Sequence, residues 1–464
     1  MDRQIVICMD GTGNEIRRKA SNVLKIYRHL KKDDAQIVHY VPGVGTRDGQ
    51  TLIGDTWQRL KSLAGLGFGL GLEDDVLDAY RFLSRCYRSA EAKRRDWQLD
   101  QDRDARLRRG IGVAEAGDAP PVFLDDRIYL VGFSRGAYAA RVLAGFIHNF
   151  GLLPPDRLHM AAQVFRAYRR LTEDPQVART RPPAELYAEM RLYGRVLDPD
   201  VSVSIRALGL FDTVSSMIRF HPVWRNLARY RSLIGFGRHA GVSYNTSVRI
   251  VRHAMSVDER RSMFRSEHWV PSDFYPTRFR NSRLKRLQYC EQRWFPGYHA
   301  DIGGAVREQD SGIGKLTALW MLDGIAADEA AAEAEDNRLR ADAGDPALPR
   351  RPLGLALKRG ARARYFEGAT DSTDVFGKPY AGPDGLAPLH PSLTPGWWIF
   401  EIIPKSLKRR EWKPGRPGLV WYFPLGEPRL VPHDHIVDPT VIVRRDAMPL
   451  YRPPNISGRD TLPE

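Results

Sequence analysis

The sequence predicts an α/β fold, a mostly parallel sheet with flanking helices that carries a charged insertion and a C-terminal elaboration. Three observations predict it. Short apolar runs of strand length alternate with amphipathic stretches at helical spacing. Several of these runs end in Gly- or Asp-bearing turns, where open parallel sheets collect functional groups. One run, Ile128 to Val131, passes through a Gly-rich turn directly into a helix of small residues beginning at Ala137.

In chain order, the first strand is read at Arg3 to Met9 and ends at Asp10-Gly11-Thr12-Gly13-Asn14. Asn22 to Leu30 is helical, because Val23, Ile26, Tyr27 and Leu30 share a face. Gln36 to Val41 is a second strand, closed by Pro42-Gly43, and Asp74 to Tyr87 is an amphipathic helix. Dense charge from Arg88, followed by Gly-Asp-Ala-Pro-Pro, marks a surface insertion over about 88–122, partly helical or mobile. A strand at Arg127 to Val131 then feeds a helix from about Ala137 to Phe150, stopped by Gly151. Val203 to Phe211 is strand-like and delivers Asp212, and Leu287 to Phe295 leads into Pro296-Gly297-Tyr298-His299. Lys315 to Ile325 reads as a helix. These elements place a core in 1–325. Residues 326–352 are Ala-, Glu- and Asp-rich and are expected to be a helix end plus a low-complexity surface excursion. Residues 353–464, rich in Pro, Trp and Arg, are expected to pack on or near the core.

Composition narrows the class. With 464 residues, 42% hydrophobic and 27% charged, the chain can bury a sizeable core without disulfide or metal staples. Cys8, Cys86 and Cys290 are far apart and read as buried thiols compatible with a reducing compartment. The N-terminal apolar run is only Ile5 to Met9 and lacks a small-residue cleavage site, so no signal peptide is read. No stretch approaches the roughly 18 apolar residues of a membrane span, and the expectation is a protein that is cytoplasmic as synthesised. A net charge of +15 and a pI near 9.7 favour anionic partners, an acidic membrane surface or a phosphate-bearing substrate among them. Nucleic acid is not an expected partner, because no zinc-finger or RNP pattern is present. His433-Asp434-His435 has no further ligands nearby in sequence, so neither a metal nor any other cofactor is expected.

The chemistry centres on Gly132-Phe133-Ser134-Arg135-Gly136, a G-x-S-x-G set between a buried-type strand and a helix. That context is what a nucleophile elbow of the α/β-hydrolase type requires. Ser134 is then the nucleophile, and the following helix N-terminus directs free amides at it. A serine needs a base, and the base needs an orienting acid. Later in the chain, Asp212 closes an apolar strand and His299 lies in a Gly-rich loop, which matches the chain order Ser, Asp, His. Asp301, two residues beyond the histidine, is the alternative acid, and Asp258 is a weaker rival. The oxyanion hole is expected from the amide of Arg135 together with that of Gly11 or Thr12. The Asp10-Gly11-Thr12 turn also invites comparison with aspartate-nucleophile phosphatases, but Cys8 stands where their nucleophile would be.

Taken together, these stretches resemble one family, the DUF2235 α/β hydrolases, which include the catalytic domain of Tle1-type phospholipase effectors of type VI secretion. The segments that carry the resemblance include IVICMDGTGN, SNVLKIYRHL, IYLVGFSRGAYAARVLAGFIHNFGLL, LFDTVSS, VRHAMSVDERRSMF and RWFPGYHADIGGA. The resemblance implies a triad of Ser134, Asp212 and His299 and a phospholipid substrate. It also implies delivery out of the cell by a secretion apparatus and a partner immunity protein. Phe211 stands where the family usually has tryptophan, and the glycine run after the histidine is shortened to Gly303-Gly304-Ala305.

Ester hydrolysis through an acyl-serine is the leading expectation. A soluble esterase or thioesterase with no membrane role, and a non-enzymatic scaffold on a hydrolase fold, are the alternatives. Gly396-Trp397-Trp398-Ile399-Phe400, followed by Lys405, Lys408, Arg409, Arg410 and Trp412, sets aromatics beside cations as a lipid–water interface would. The competing reading of that segment is an apolar strand followed by a solvated basic turn.

Overall fold

The computed structural model describes residues 2–11, 19–43, 71–110, 121–173, short stretches between 188 and 197, 203–214, 218–220, 234–236, 242–277, 281–369, 373–374, 377–407, 410–412 and 421–457. Thr12, Lys408 and Arg409 lie outside the described residues.

Seven strands form one sheet: β1 (Gln4–Met9), β2 (Gln36–Val41), β3 (Arg127–Phe133), β4 (Ile205–Phe211), β5 (Val248–Ser256), β6 (Tyr289–Phe295) and β7 (Ile436–Val437). Their spatial order is β7-β6-β5-β4-β3-β1-β2, and every pairing is parallel. All residues of β1, β3, β4 and β5 are buried, as expected of strands covered on both faces. The chain leaves β1 for the edge at β2 and returns to β3 on the other side of β1. The strand order therefore reverses between β1 and β3, the place where open α/β sheets open a crevice beyond their carboxyl ends.

Helices cover both faces: α1 (Asn22–His29), α2 (Leu72–Cys86), α3 (Ala90–Gly110), α4 (Arg135–Phe150), α5 (Ala161–Glu173), the short α6 (His299–Ile302), α7 (Gly312–Asp342), α8 (Pro395–Glu401) and α9 (Pro439–Ala447). One core cluster packs α2, α4 and α5 on the sheet through Tyr80, Phe146, Phe150, Phe165 and Tyr168. The opposite cluster packs α1 and α7 through Val23, Ile26, Met321 and Ile325. Of the insertion, 90–110 is the helix α3, and 111–120 lie outside the described residues.

Two expectations need correction. The helix read at 315–325 runs through the Ala/Glu/Asp-rich stretch and makes α7 a single helix of 31 residues. Asp342 and Asp345 are exposed, but Asp328, Glu329, Glu333, Glu335 and Asp336 are turned to the sheet. They meet arginines that emerge from three adjacent strands. Glu329 pairs with Arg127 of β3 at 2.7 Å and Arg206 of β4 at 2.8 Å, and Asp328 and Glu335 take Arg252 and Arg249 of β5. Low complexity here reflects a helix that turns its acids to the arginines of the sheet and leaves most of its alanines exposed. Second, residues 395–401, where the competing reading had a strand, form the helix α8, with Pro395 at its first turn.

Candidate active site

The elbow is built from two close approaches. A Cβ on Gly132 would lie 2.6 Å from Ala137 Cα, and one on Gly136 would lie 2.1 Å from Met9 O. Both positions therefore need glycine for α4 to start against β3 and β1. Between them Ser134 adopts φ 58°, a conformation that costs a non-glycine residue about 1–3 kcal/mol and that gathers at functional sites. Its amide donates to Phe211 O at 3.0 Å, which fixes the end of β3 to the end of β4. Asp212, the residue that follows β4, also has positive φ, at 39°.

The structure brings together the three residues expected from sequence. His299 Nε2 lies 2.8 Å from Ser134 Oγ, and His299 Nδ1 lies 2.5 Å from Asp212 Oδ2. All three are buried. The histidine loop is held by the end of β5. Ser256 Oγ donates to Gly297 O at 2.7 Å, Asp258 Oδ2 accepts from the Gly297 amide at 2.7 Å, and Glu259 Oε2 accepts from the His299 amide at 3.3 Å. Phe133 stacks on the imidazole with ring centroids 4.8 Å apart, and Phe264 meets it edge-on at 5.0 Å.

The rival carboxyls have other work. Asp301 accepts from the Tyr298 amide at 2.8 Å and from the His390 amide and Nδ1 at 3.1 and 2.7 Å, so the alternative acid caps α6 and tethers His390 instead of orienting His299. Asp258 takes the Gly297 amide and the Tyr451 hydroxyl. Gly11 also needs correction. It lines the pocket beside Ser134, but its amide donates to Asp10 Oδ1 at 2.7 Å. The cause is the buried Asp10 carboxylate, which gathers Gly11, Ser21 and Tyr40 as donors to hold the turn. Arg135 is the first residue of α4, and its amide stays at the helix N-terminus beside Ser134.

Sequence reasoning missed Arg429. Its guanidinium grips Asp212 with both ends, Nη1 to Oδ1 at 2.6 Å and Nη2 to Oδ2 at 3.0 Å, while Nε donates to Phe264 O at 2.9 Å. Asp212 Oδ1 also accepts from the Ser256 amide at 3.0 Å. Burial alone would raise the Asp212 pKa, but Arg429 and the bond to His299 outweigh it and hold the carboxyl well below the ordinary range. Burial lowers the His299 pKa, and the pull of Asp212 opposes this without cancelling it. The imidazole is therefore neutral at neutral pH, as a base requires. Glu259, also missed, is buried, yet Arg261 brings its carboxyl down to about 2.

Ser134 and His299 face a cavity of about 660 Å³, within the range of small-molecule sites. Its walls include Phe133, Val214, Phe264 and Trp397, and cations from Lys19 and Arg307 stand at its rim. Among the described residues, no group of three or more His, Cys, Asp or Glu is placed to hold a metal ion.

An all-parallel α/β sheet with a serine, a histidine and a carboxylate bonded in series at its switch point defines a protein of the α/β-hydrolase class. The chain belongs to the family described as the T6SS phospholipase effector Tle1-like catalytic domain, whose model matches residues 3–324. It is 28% identical over 295 residues to an uncharacterized protein of Saccharomyces cerevisiae, YEL023C, a match that covers 62% of this chain and 35% of the yeast protein. Among solved structures it is similar to an uncharacterized protein from Pseudomonas aeruginosa, at 19% identity and a TM-score of 0.33, covering 71% of this chain and 46% of that one. A Tle1 effector bound to the VgrG spike of the type 6 secretion system is similar at 19% identity and a TM-score of 0.30, covering 68% and 53%. The chain thus spans about a third of the yeast relative and about half of each solved chain.

Proposed function

We propose that the protein is a serine hydrolase that cleaves carboxylic esters of glycerophospholipids through an acyl-serine. The observation that carries this reading is the unbroken series Ser134 Oγ, His299, Asp212, with Ser134 and His299 facing the cavity. His299 Nε2 takes the Ser134 proton as Oγ attacks the ester carbonyl. The oxyanion receives the Arg135 amide at the N-terminus of α4. As the C–O bond breaks, His299 returns the proton to the leaving alcohol. A water molecule, deprotonated by the same nitrogen, then releases the fatty acid and restores Ser134. Asp212, held by Arg429, keeps the Nδ1 proton on the imidazole and stabilises its charged form.

Family membership supports lipid as the ester class, and the apolar walls beneath a cationic rim suit an acyl chain below a phosphate. Delivery by a type VI secretion apparatus and an immunity protein as partner follow from the same reading. Lipid product analysis of the pure protein beside its Ser134→Ala variant tests the function. Fatty acid and lysophospholipid are expected from the first and not from the second. Equal product from both variants refutes the nucleophile. A short soluble ester cleaved while phospholipid is left intact makes the protein a soluble esterase.

A further inference from the structure

The helix α8 divides its side chains between two environments. Trp397 turns inward, lines the cavity and meets Phe264 edge-on at 5.3 Å. Phe400 and Glu401 are buried. Trp398 and Ile399 face out, and so does Ile402, one turn on, which places three apolar side chains on a single outer face. The segment after Trp421–Tyr422 adds to that face. The Leu425 amide donates to Glu401 O at 3.2 Å, and the Gly426 amide to Glu401 Oε2 at 3.3 Å. A Cβ on Gly426 would come within 3.7 Å of the Trp398 ring. Ile402, Phe423 and Leu425 are 57, 55 and 58% exposed, which is high for large apolar residues on two segments joined by hydrogen bonds.

Leu425 carries a second, independent signal. Among the described residues, only Ser134, Asp212 and Leu425 have positive φ without being glycine. Leu425 and Gly426, at 49° and 70°, form the two central positions of a turn closed by the Glu427 amide on Pro424 O at 2.9 Å. Turns with positive φ at both positions favour Asn-Gly, and a leucine there is strained. The strain gains no internal packing, because the side chain points into solvent. It does hold an apolar group at the tip of a rigid turn.

We propose that Trp398, Ile399, Ile402, Phe423 and Leu425 form the ridge by which the protein seats on an anionic phospholipid bilayer. The inference rests on the phospholipid reading of the site and adds to it the surface that meets the lipid. The ridge continues the apolar wall of the cavity, since Trp397 lies inside and Trp398 outside on the same helix turn. The rim cations Lys19 and Arg307 are exposed, and the whole chain carries +15. An apolar ridge that continues the wall of a cavity bearing exposed cations matches the acyl and phosphate layers of a membrane leaflet. The sequence reading of this segment as aromatic plus basic is redrawn here. Trp397 belongs to the cavity, Lys405 is buried, and apolar side chains from two segments make the outer surface.

The test uses the full chain carrying Ser134→Ala, so that binding is measured without turnover. Sedimentation with vesicles of phosphatidylglycerol and phosphatidylcholine is compared for this parent, for Leu425→Asn, and for Ile399→Ser/Ile402→Ser/Leu425→Asn. Leu425→Asn relaxes the turn and so preserves folding. Binding is expected to fall about threefold with Leu425→Asn and at least tenfold with the triple substitution. With Ser134 restored, turnover of a short soluble ester is expected to be unchanged in both. A parent that does not bind vesicles, or a triple variant that binds like the parent, overturns the inference. So does equal loss of soluble-ester turnover, which makes the ridge part of the folded core. A parent that sediments as a dimer and is split by the substitutions also overturns it and assigns the ridge to a second copy of the chain. Vesicle binding that depends on the ridge in a protein that releases no lipid product leaves the ridge standing and refutes the phospholipase reading alone.

Discussion

Replacing Arg429 by methionine tests how the acid is held. The substitution keeps most of the side-chain volume and removes the charge. Asp212 would keep the Ser256 amide and His299 as donors and lose the two bonds from Arg429 at 2.6 and 3.0 Å. The carbonyls of Phe264 and Ser256 would lose a donor as well. Arg429 is 4% exposed and Asp212 is 0% exposed, so solvent cannot replace those bonds. Removing one partner of a buried pair costs about 3–5 kcal/mol, because the other is left charged and uncompensated. Urea unfolding followed by tryptophan fluorescence measures the loss. Adding Asp212→Asn should return part of it, with a coupling of about 2–3 kcal/mol in the double-mutant cycle. The sign with pH follows from the depressed Asp212 pKa. Its contribution is complete above the unfolded aspartate value of about 3.9 and is lost as pH falls below it. The gap between wild type and Arg429→Met should therefore be flat near neutrality and narrow below about pH 4. Loss of a nearby cation should also raise the His299 pKa and move the acid limb of kcat/KM to higher pH. A purely structural role would reduce the amount of folded protein without moving that limb. A variant within about 0.5 kcal/mol of wild type, with an unmoved limb, refutes the reasoning.

Three further outcomes are expected. Asp212→Asn should reduce kcat by several orders of magnitude, whereas Asp301→Asn, at a cap tied to His390, should lower thermal stability and leave kcat within about tenfold; steady-state kinetics on a soluble ester check the ranking. The acid limb of kcat/KM in wild type should lie below the ordinary histidine value of about 6.5, since burial disfavours the charged imidazole; a pH–rate profile with its limb above 7 contradicts this. Glu329→Gln should destabilise by about 1–3 kcal/mol at neutral pH, because it removes the buried anion that Arg127 and Arg206 share while Asp2, Glu333 and Asp336 stay near them, and the deficit should shrink as pH falls below about 4.5; denaturation at pH 7 and pH 4 measures both.

Legibility in the sequence followed locality. The elbow and the ends of β4 and β6 were readable because each joins an apolar run to a functional residue within a few positions. Strand β5 was not, because Arg249, Arg252 and His253 interrupt its apolar pattern. Those side chains are buried only because α7 supplies acids to the two arginines and Arg141 and the Thr213 amide meet the histidine. Arg429 left no local trace, since its partner lies 217 residues earlier in the chain. The helix α8 did leave one. Thr394-Pro395 is an N-cap followed by proline at the first turn, and that signal outranks the apolar run after it.

The grip of Arg429 on Asp212 bears on how this chain can vary. The family match ends at residue 324, and the arginine stands well beyond it. The tail that carries it also carries Leu425 and Phe423, so one short stretch serves both the acid and the apolar ridge. Grafting a tail from another member onto this core would unseat the acid unless an arginine arrived at the same point in space. Positions 212 and 429 are therefore expected to be inherited as a pair, and recombination between them to be tolerated only where both partners supply it.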